Sequence, residues 1–224
     1  MVMTIFGVVV GAIIAVIITI FIENLRKPKL EIKIAPPVDR KYQDRPANSV
    51  RFLGLYLVNK PLPFFAKWMS RNAALQCHGT ITFHHLNDGQ NFFGRSMTIR
   101  WSGSPEPISL QFGIDGKLYS IVDQSKVTLV LKIDIYPDEK GHLDVAARFD
   151  NENECYGWNN ESYFSTPVWR NADWRLPAGR FIIRVIIYSA GEKCTEIFRL
   201  INDVPQNDFR LEKPMQQDYV LIKK

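Results

Sequence analysis

The longest unbroken run of apolar positions comes first. From Met3 to Ile22, MTIFGVVVGAIIAVIITIFI, no residue is charged, and only Thr4 and Thr19 carry hydroxyls, which a helix lets bond back to its own backbone. At ~1.5 Å per residue, a helix of this length covers roughly the ~30 Å hydrocarbon layer of a bilayer. A buried core helix would show polar positions at a period of about 3.6, whereas this run is apolar all round. It predicts a transmembrane helix that stays in place as a signal-anchor, with residues 1–24 as the anchor segment of a single-pass protein. The competing reading is a cleaved secretory signal. Met1-Val2-Met3 has no basic residue, the apolar core is too long, and Phe21-Ile22-Glu23-Asn24 offers no small-residue cleavage site.

Beyond Pro28, which stops the helix, the pattern changes to a period of two. Leu30, Ile32 and Ile34 alternate with Glu31 and Lys33, predicting a first strand within 29–35 that Pro36-Pro37 ends. Asp39 to Ser49 reads as a polar loop. Val50 to Val58 is apolar on both faces, so it reads as a central strand. In Ala73 to His84, Leu75, Cys77, Gly79, Ile81 and Phe83 share one face, while Gln76, His78, Thr80, Thr82 and His84 share the other. That alternation marks a half-solvated antiparallel strand, and Asn87-Asp88-Gly89 supplies turn chemistry.

Further strands are expected at Met97-Ile99-Trp101, at Ile108-Leu110-Phe112 before Asp115-Gly116, and at Val127-Leu129-Leu131-Ile133-Ile135 before Pro137. A weaker one covers Leu143 to Phe149. Phe181 to Tyr188 and Thr195 to Ile201 make a hairpin joined by Ala190-Gly191-Glu192-Lys193. About nine short strands separated by turns indicate an all-β, antiparallel sandwich or barrel.

Leu176-Pro177-Ala178-Gly179, running into a long strand and its hairpin partner, resembles the closing strands of immunoglobulin-like domains over about thirty residues. The resemblance implies an immunoglobulin-like β-sandwich. Antibody-type domains also carry an inter-sheet cystine with a packed tryptophan, and here Cys77, Trp101 and Cys194 are spaced too widely for that. The expected organisation is the anchor at 1–24 and a basic juxtamembrane segment at 25–49 that holds the first strand. A β-sandwich follows at 50–204, then a polar tail at 205–224. The tail's Tyr219-Val220-Leu221-Ile222 either adds an edge strand or, as expected of a terminus, frays.

Charge decides which side of the membrane the domain occupies. The net charge is +5, and the stretch from Asn24 to Arg51 holds eight bases and three acids, so the remainder is balanced. The excess is a juxtamembrane collar led by Arg26, Lys27, Lys29 and Lys33. Positive flanks stay inside, which places the N-terminus outside and the large domain in the cytoplasm. Such a collar suits anionic lipid headgroups. A nucleic-acid binder would carry its positive charge on the domain itself, so that class is disfavoured. Cys77, Cys155 and Cys194 are odd in number and form no CxxC, consistent with free thiols in a reducing compartment. On that side the sequon Asn160-Glu161-Ser162 has no role.

Three groups of residues stand out as candidates for function. Gly7, Gly11 and Ala15 form a small-residue stripe along the helix, the pattern of a helix–helix contact and hence of a homo-oligomer. The connection 59–72 (NKPLPFFAKWMSRN) sets Phe64, Phe65 and Trp68 beside Lys67. Strand counting puts it at the bilayer end with Arg26, Lys27 and Lys29. Two readings compete there: an interfacial membrane contact, or rings that cap the open end of the core. Finally, 150–179 carries Tyr156, Trp158, Tyr163, Phe164, Trp169 and Trp174 among asparagines, a composition typical of binding loops on sandwich scaffolds. The alternative is that these rings lie on the sheet.

No catalytic, metal or cofactor motif is present. His78 and His84 lie ~20 Å apart along a strand, and no G-x-S-x-G, H-E-x-x-H or P-loop occurs. The expected function is a non-enzymatic binding, adaptor or sensor module held at the membrane, with an unidentified protein or small-molecule ligand. An exported envelope or adhesion domain, and a hydrolase assembled from distant loops, are the alternatives.

Overall fold

The N-terminal helix α1 (Val2–Arg26) is exposed from Phe6 to Phe21 and meets the rest of the chain at its C-terminal end. Its span Phe6–Arg26 is long and apolar enough to cross a membrane, and none of that span is buried within the protein. A computed structural model describes residues 2–41, 49–123, 126, 131–150, 152–165 and 169–222.

After the helix come β1 (Leu30–Ile34), β2 (Val38–Lys41), β3 (Ser49–Asn59), β4 (Ala74–His85) and β5 (Met97–Thr98). Then follow β6 (Arg100–Trp101), β7 (Ile108–Phe112), β8 (Leu118–Val122), β9 (Ile133–Ile135) and β10 (Lys140–Phe149). The last are β11 (Cys155–Gly157), β12 (Arg175–Leu176), β13 (Arg180–Ser189), β14 (Glu192–Ile201), β15 (Arg210–Glu212) and the short helix α2 (Gln216–Ile222). The protein is therefore mostly β, with two antiparallel sheets behind an apolar helix.

The first sheet runs β1-β3-β10-β11-β12, with β2 also on β3 and β6 also on β10. The second runs β15-β14-β13-β4-β5, with β9 also on β4, while β7 and β8 form a ribbon of their own. Registers fix which end faces the helix. Leu30 pairs with Asn59, Lys140 with Val58 and Ala74 with Ile135, so these residues and the β13–β14 turn lie at the helix end. Val50, Phe149, Phe181 and His85 lie at the far end.

One hydrophobic cluster draws on both sheets. Leu53, Leu55, Leu57, Leu143 and Val145 come from the first, and Ile81, Phe83, Ile183, Val185, Phe198 and Leu200 from the second. A smaller cluster of Val50, Ala147, Phe149, Tyr156, Trp158, Tyr163 and Ile108 lies apart from it, with Phe52 and Trp169 packed against it.

Four local expectations are corrected. Leu75 is exposed and Ala74 buried instead, because a register shift between Ala74 and Cys77 turns the strand over. Gln76 sits there at φ +54, its N–H donating to Asp134 Oδ1 at 2.7 Å. Met97, Ile99 and Trp101 are all buried, but they do not form one strand. Thr98 pairs with Thr80 in one sheet and Arg100 with Asp144 in the other, so the chain crosses between sheets at Ile99. Of the strand expected from Val127 to Ile135, β9 covers only its last three residues, Leu131 is exposed, and 127–130 lie outside the described residues. Asp39 to Lys41, expected in a loop, pair with β3 as part of β2.

The C-terminal segment is no frayed tail. Phe209 and Leu211 enter the core, and α2 is fixed by Asp218, which is wholly buried against Arg199. Arg199 donates from Nε and an η nitrogen to the two carboxylate oxygens at 2.6 and 2.7 Å. Asp218 also accepts the Met215 N–H at 2.7 Å.

Candidate functional site

The site is built where α1 meets the base of the sheets. Asn59, the last residue of β3, is fully buried. Its Oδ1 accepts the Lys29 N–H at 3.1 Å, and its Nδ2 donates to the carbonyls of Asn72 at 2.9 Å and Ile135 at 3.3 Å. One side chain thus ties the exit from the helix, the end of the 59–72 connection and β9. Main-chain bonds reinforce the joint. The Asn72 N–H donates to the Arg26 carbonyl at 2.8 Å and Lys60 N–H to that of Lys29 at 2.9 Å. Arg26 Nε reaches the Ser70 carbonyl at 3.3 Å. The Arg71 guanidinium, nearly buried, donates to the carbonyls of Lys27 and Pro61. Burial pulls its pKa below the ordinary guanidinium value, yet an arginine remains charged, so the last turn of α1 keeps a cation at its carbonyl end.

Between these ties the connection makes a single 3-10 turn, Phe64–Ala66. Leu62 and Ala66 are buried and hold the turn against the domain, with Ala66 N–H donating to Pro63 O at 2.9 Å and Met69 N–H to Ala66 O at 3.0 Å. Positions between and beyond these anchors face outward. Phe64 is 85%, Phe65 67% and Trp68 77% exposed, so the rings do not cap the core. Lys67 Nζ lies 5.3 Å from the Phe64 ring centroid, a cation–π contact in the open. Trp68 contrasts with Trp101, Trp158 and Trp174, which are all buried.

The second candidate segment is arranged the opposite way. Tyr156, Trp158, Tyr163 and Trp174 are buried, Trp169 is half-buried, and Phe164 alone of the six is exposed. Trp158 meets Phe52 edge-on at 5.0 Å and Tyr163 at 5.5 Å. Trp174 Nε1 donates to Glu161 Oε2 at 2.8 Å, with Arg95 over its ring at 4.5 Å. Burial raises the Tyr163 hydroxyl pKa and pushes that of Tyr156 up to about 12. Trp169 takes φ +72 where the segment turns. Most of these rings therefore cover the sheet, and a ligand could reach only Phe164 and the open side of Trp169.

On α1, a side chain added at Gly7 or Gly11 would meet nothing within 4 Å, and Ala15 is exposed, so the stripe is open along its length.

The thiols and the one shifted histidine among the described residues are held by burial and hydrogen bonds. Burial pushes the Cys77 and Cys194 thiols up to about 11 and raises that of Cys155, keeping all three protonated at neutral pH. His84 is held by Gly89 O at 2.9 Å and Thr82 Oγ1 at 2.8 Å, and burial lowers its pKa. Among the described residues no group of three His, Cys, Asp or Glu is placed to hold a metal ion. Arg100 and Asp144 form a buried pair at 2.6 Å, with Ser102 Oγ on the same carboxylate at 2.6 Å.

No protein-family model, curated protein or solved structure matches the chain.

Sequence reasoning placed the aromatic connection at the helix end but missed the residues that hold it there. Nothing in the local pattern separates Asn59 from other loop asparagines, and Arg71 read only as one more base.

Proposed function

We propose that this chain is a single-pass membrane protein whose cytosolic, immunoglobulin-like β-sandwich works as a non-enzymatic binding or adaptor module held at the bilayer. The observation that carries the proposal is the joint at Asn59, Lys29 and Arg71, which fastens the domain directly to the end of an apolar helix with no flexible linker between them. The basic collar supports the cytoplasmic side. Confinement to two dimensions raises the effective concentration of the domain for a membrane-associated partner, and pairing of helices along Gly7, Gly11 and Ala15 adds avidity. Phe164 and Trp169 are the rings left for the partner to meet.

Protease treatment of intact cells and of permeabilised cells tests this. The domain should survive on intact cells and be digested once the membrane is opened. Digestion from outside would instead support an exported adhesion-type domain.

A further inference from the structure

We infer that the base of the β-domain is a second membrane contact, in which Phe64, Phe65 and Trp68 enter the interfacial layer of the bilayer and Lys67 meets anionic headgroups. The inference rests on the tethering reading and names the surface by which the tethered domain lies against lipid.

Continuity with the spanning helix is the first argument. The rings sit on a loop bonded to Arg26, Lys27 and Lys29, about one helical turn beyond Ile22, where the apolar run ends. That depth is the headgroup layer, and the joint gives the loop no freedom to swing away. Composition is the second. Residues 60–71 hold Lys60, Lys67 and Arg71 and no acid, while the exposed rings are phenylalanine and tryptophan. Aromatic rings beside lysines suit the interface, where an apolar body and a wet cationic head are both satisfied. The third is the spread of exposed rings. Tyr136 precedes Pro137, which bridges to Asn59, and Tyr188 precedes the β13–β14 turn, so two of the four exposed tyrosines among the described residues share this end of the domain.

Two acidic groups at the same end are already partnered. Glu31 is paired with Lys33 and Lys60 at 3.0 Å each, and Asp134 accepts the Gln76 N–H. Asp138, whose N–H donates to the Asn59 carbonyl at 3.4 Å, shares this end of the domain with Glu139 and Glu192, so the contact is made at the aromatic turn itself, where residues 60–71 contain no acid.

The test uses the full chain in nanodiscs containing anionic lipid, compared with its Trp68→Phe variant, so that the difference in tryptophan emission reports residue 68. Brominated acyl chains should quench that emission and aqueous iodide should not. Lys67→Glu should weaken the lipid quenching several-fold in anionic discs and little in zwitterionic ones. Emission quenched by iodide and untouched by brominated lipid would overturn the inference, and is what a surface reserved for a protein partner would give. Alkaline carbonate extraction of the same chain separates the two claims. An extractable chain removes the tether and this contact together, whereas an integral chain with a water-exposed Trp68 removes the contact alone.

Discussion

Asn59 accepts the main-chain N–H of Lys29 at 3.1 Å from a position with no solvent exposure. This bond makes the last residue of a central strand the fastening point for the helix exit. Asn59→Ala would strand the Lys29 donor and leave two carbonyls, of Asn72 and Ile135, without their donor. An unmet buried polar group costs about 1–3 kcal/mol, so the variant should unfold at clearly lower urea. Hydrogen exchange should speed up first at Lys29 and Asn72.

The two aromatic groups should respond oppositely to substitution. Trp158→Ala removes a buried ring packed on Phe52 and Tyr163, and should cost about 3–5 kcal/mol of stability. Replacing Phe64, Phe65 and Trp68 together with serine should change stability by no more than about 0.5 kcal/mol per site, since these rings are exposed. Denaturant unfolding in detergent measures both. A large loss from the triple variant would mean that the rings support the fold.

Breaking the Arg199–Asp218 pair from one side leaves a buried charge. Asp218→Ala should cost about 3–5 kcal/mol and release α2, while replacing both residues with apolar ones of similar size should cost far less. Limited proteolysis after Glu212 reads the release.

The same pair sets a pH dependence. Burial alone would raise the Asp218 pKa, but the Arg199 hydrogen bond, the Met215 N–H and the Arg199 charge outweigh it and hold the carboxyl below its ordinary value. The stabilisation is complete above the unfolded carboxyl value of about 3.9 and is lost as pH falls through the lower folded value. Docking of α2 should therefore be flat from neutral pH down to about 4 and weaken below it, with Asp218→Asn abolishing the slope.

Gly79 tests the contact between β4 and β13. An added Cβ would fall 2.2 Å from the Ile186 carbonyl oxygen, a main-chain atom that cannot swing aside. Gly79→Ala should cost about 1–3 kcal/mol or more. Gly103→Ala, with nothing within 4 Å, should be neutral by the same unfolding measurement.

Sequence patterning made the long, regular strands legible. The alternation of β1 and of β4 beyond Cys77, and the all-apolar run of β3, follow from burying one face or two. It failed where long-range partners override the pattern. Leu75 faces out because a shift opposite β9 turns the strand over at Gln76, which no local rule signals. Met97 to Trp101 keeps its apolar alternation while changing sheets, and Arg100, polar in the pattern, is nevertheless buried against Asp144 on the sheet it then joins. The polar composition around Asp218 suggested a loose terminus, and its arginine lies nineteen residues away on β14. At the site the aromatic turn was visible, but whether rings pack or protrude depends on Leu62 and Ala66 taking the buried positions first.

The central claim is that α1 remains part of the working protein and holds it in the membrane. N-terminal sequencing of the protein recovered from cells, paired with its partition between membrane and soluble fractions, tests this most directly. The account predicts membrane-bound protein that retains residues 3–22. Soluble protein beginning beyond Asn24 would contradict it.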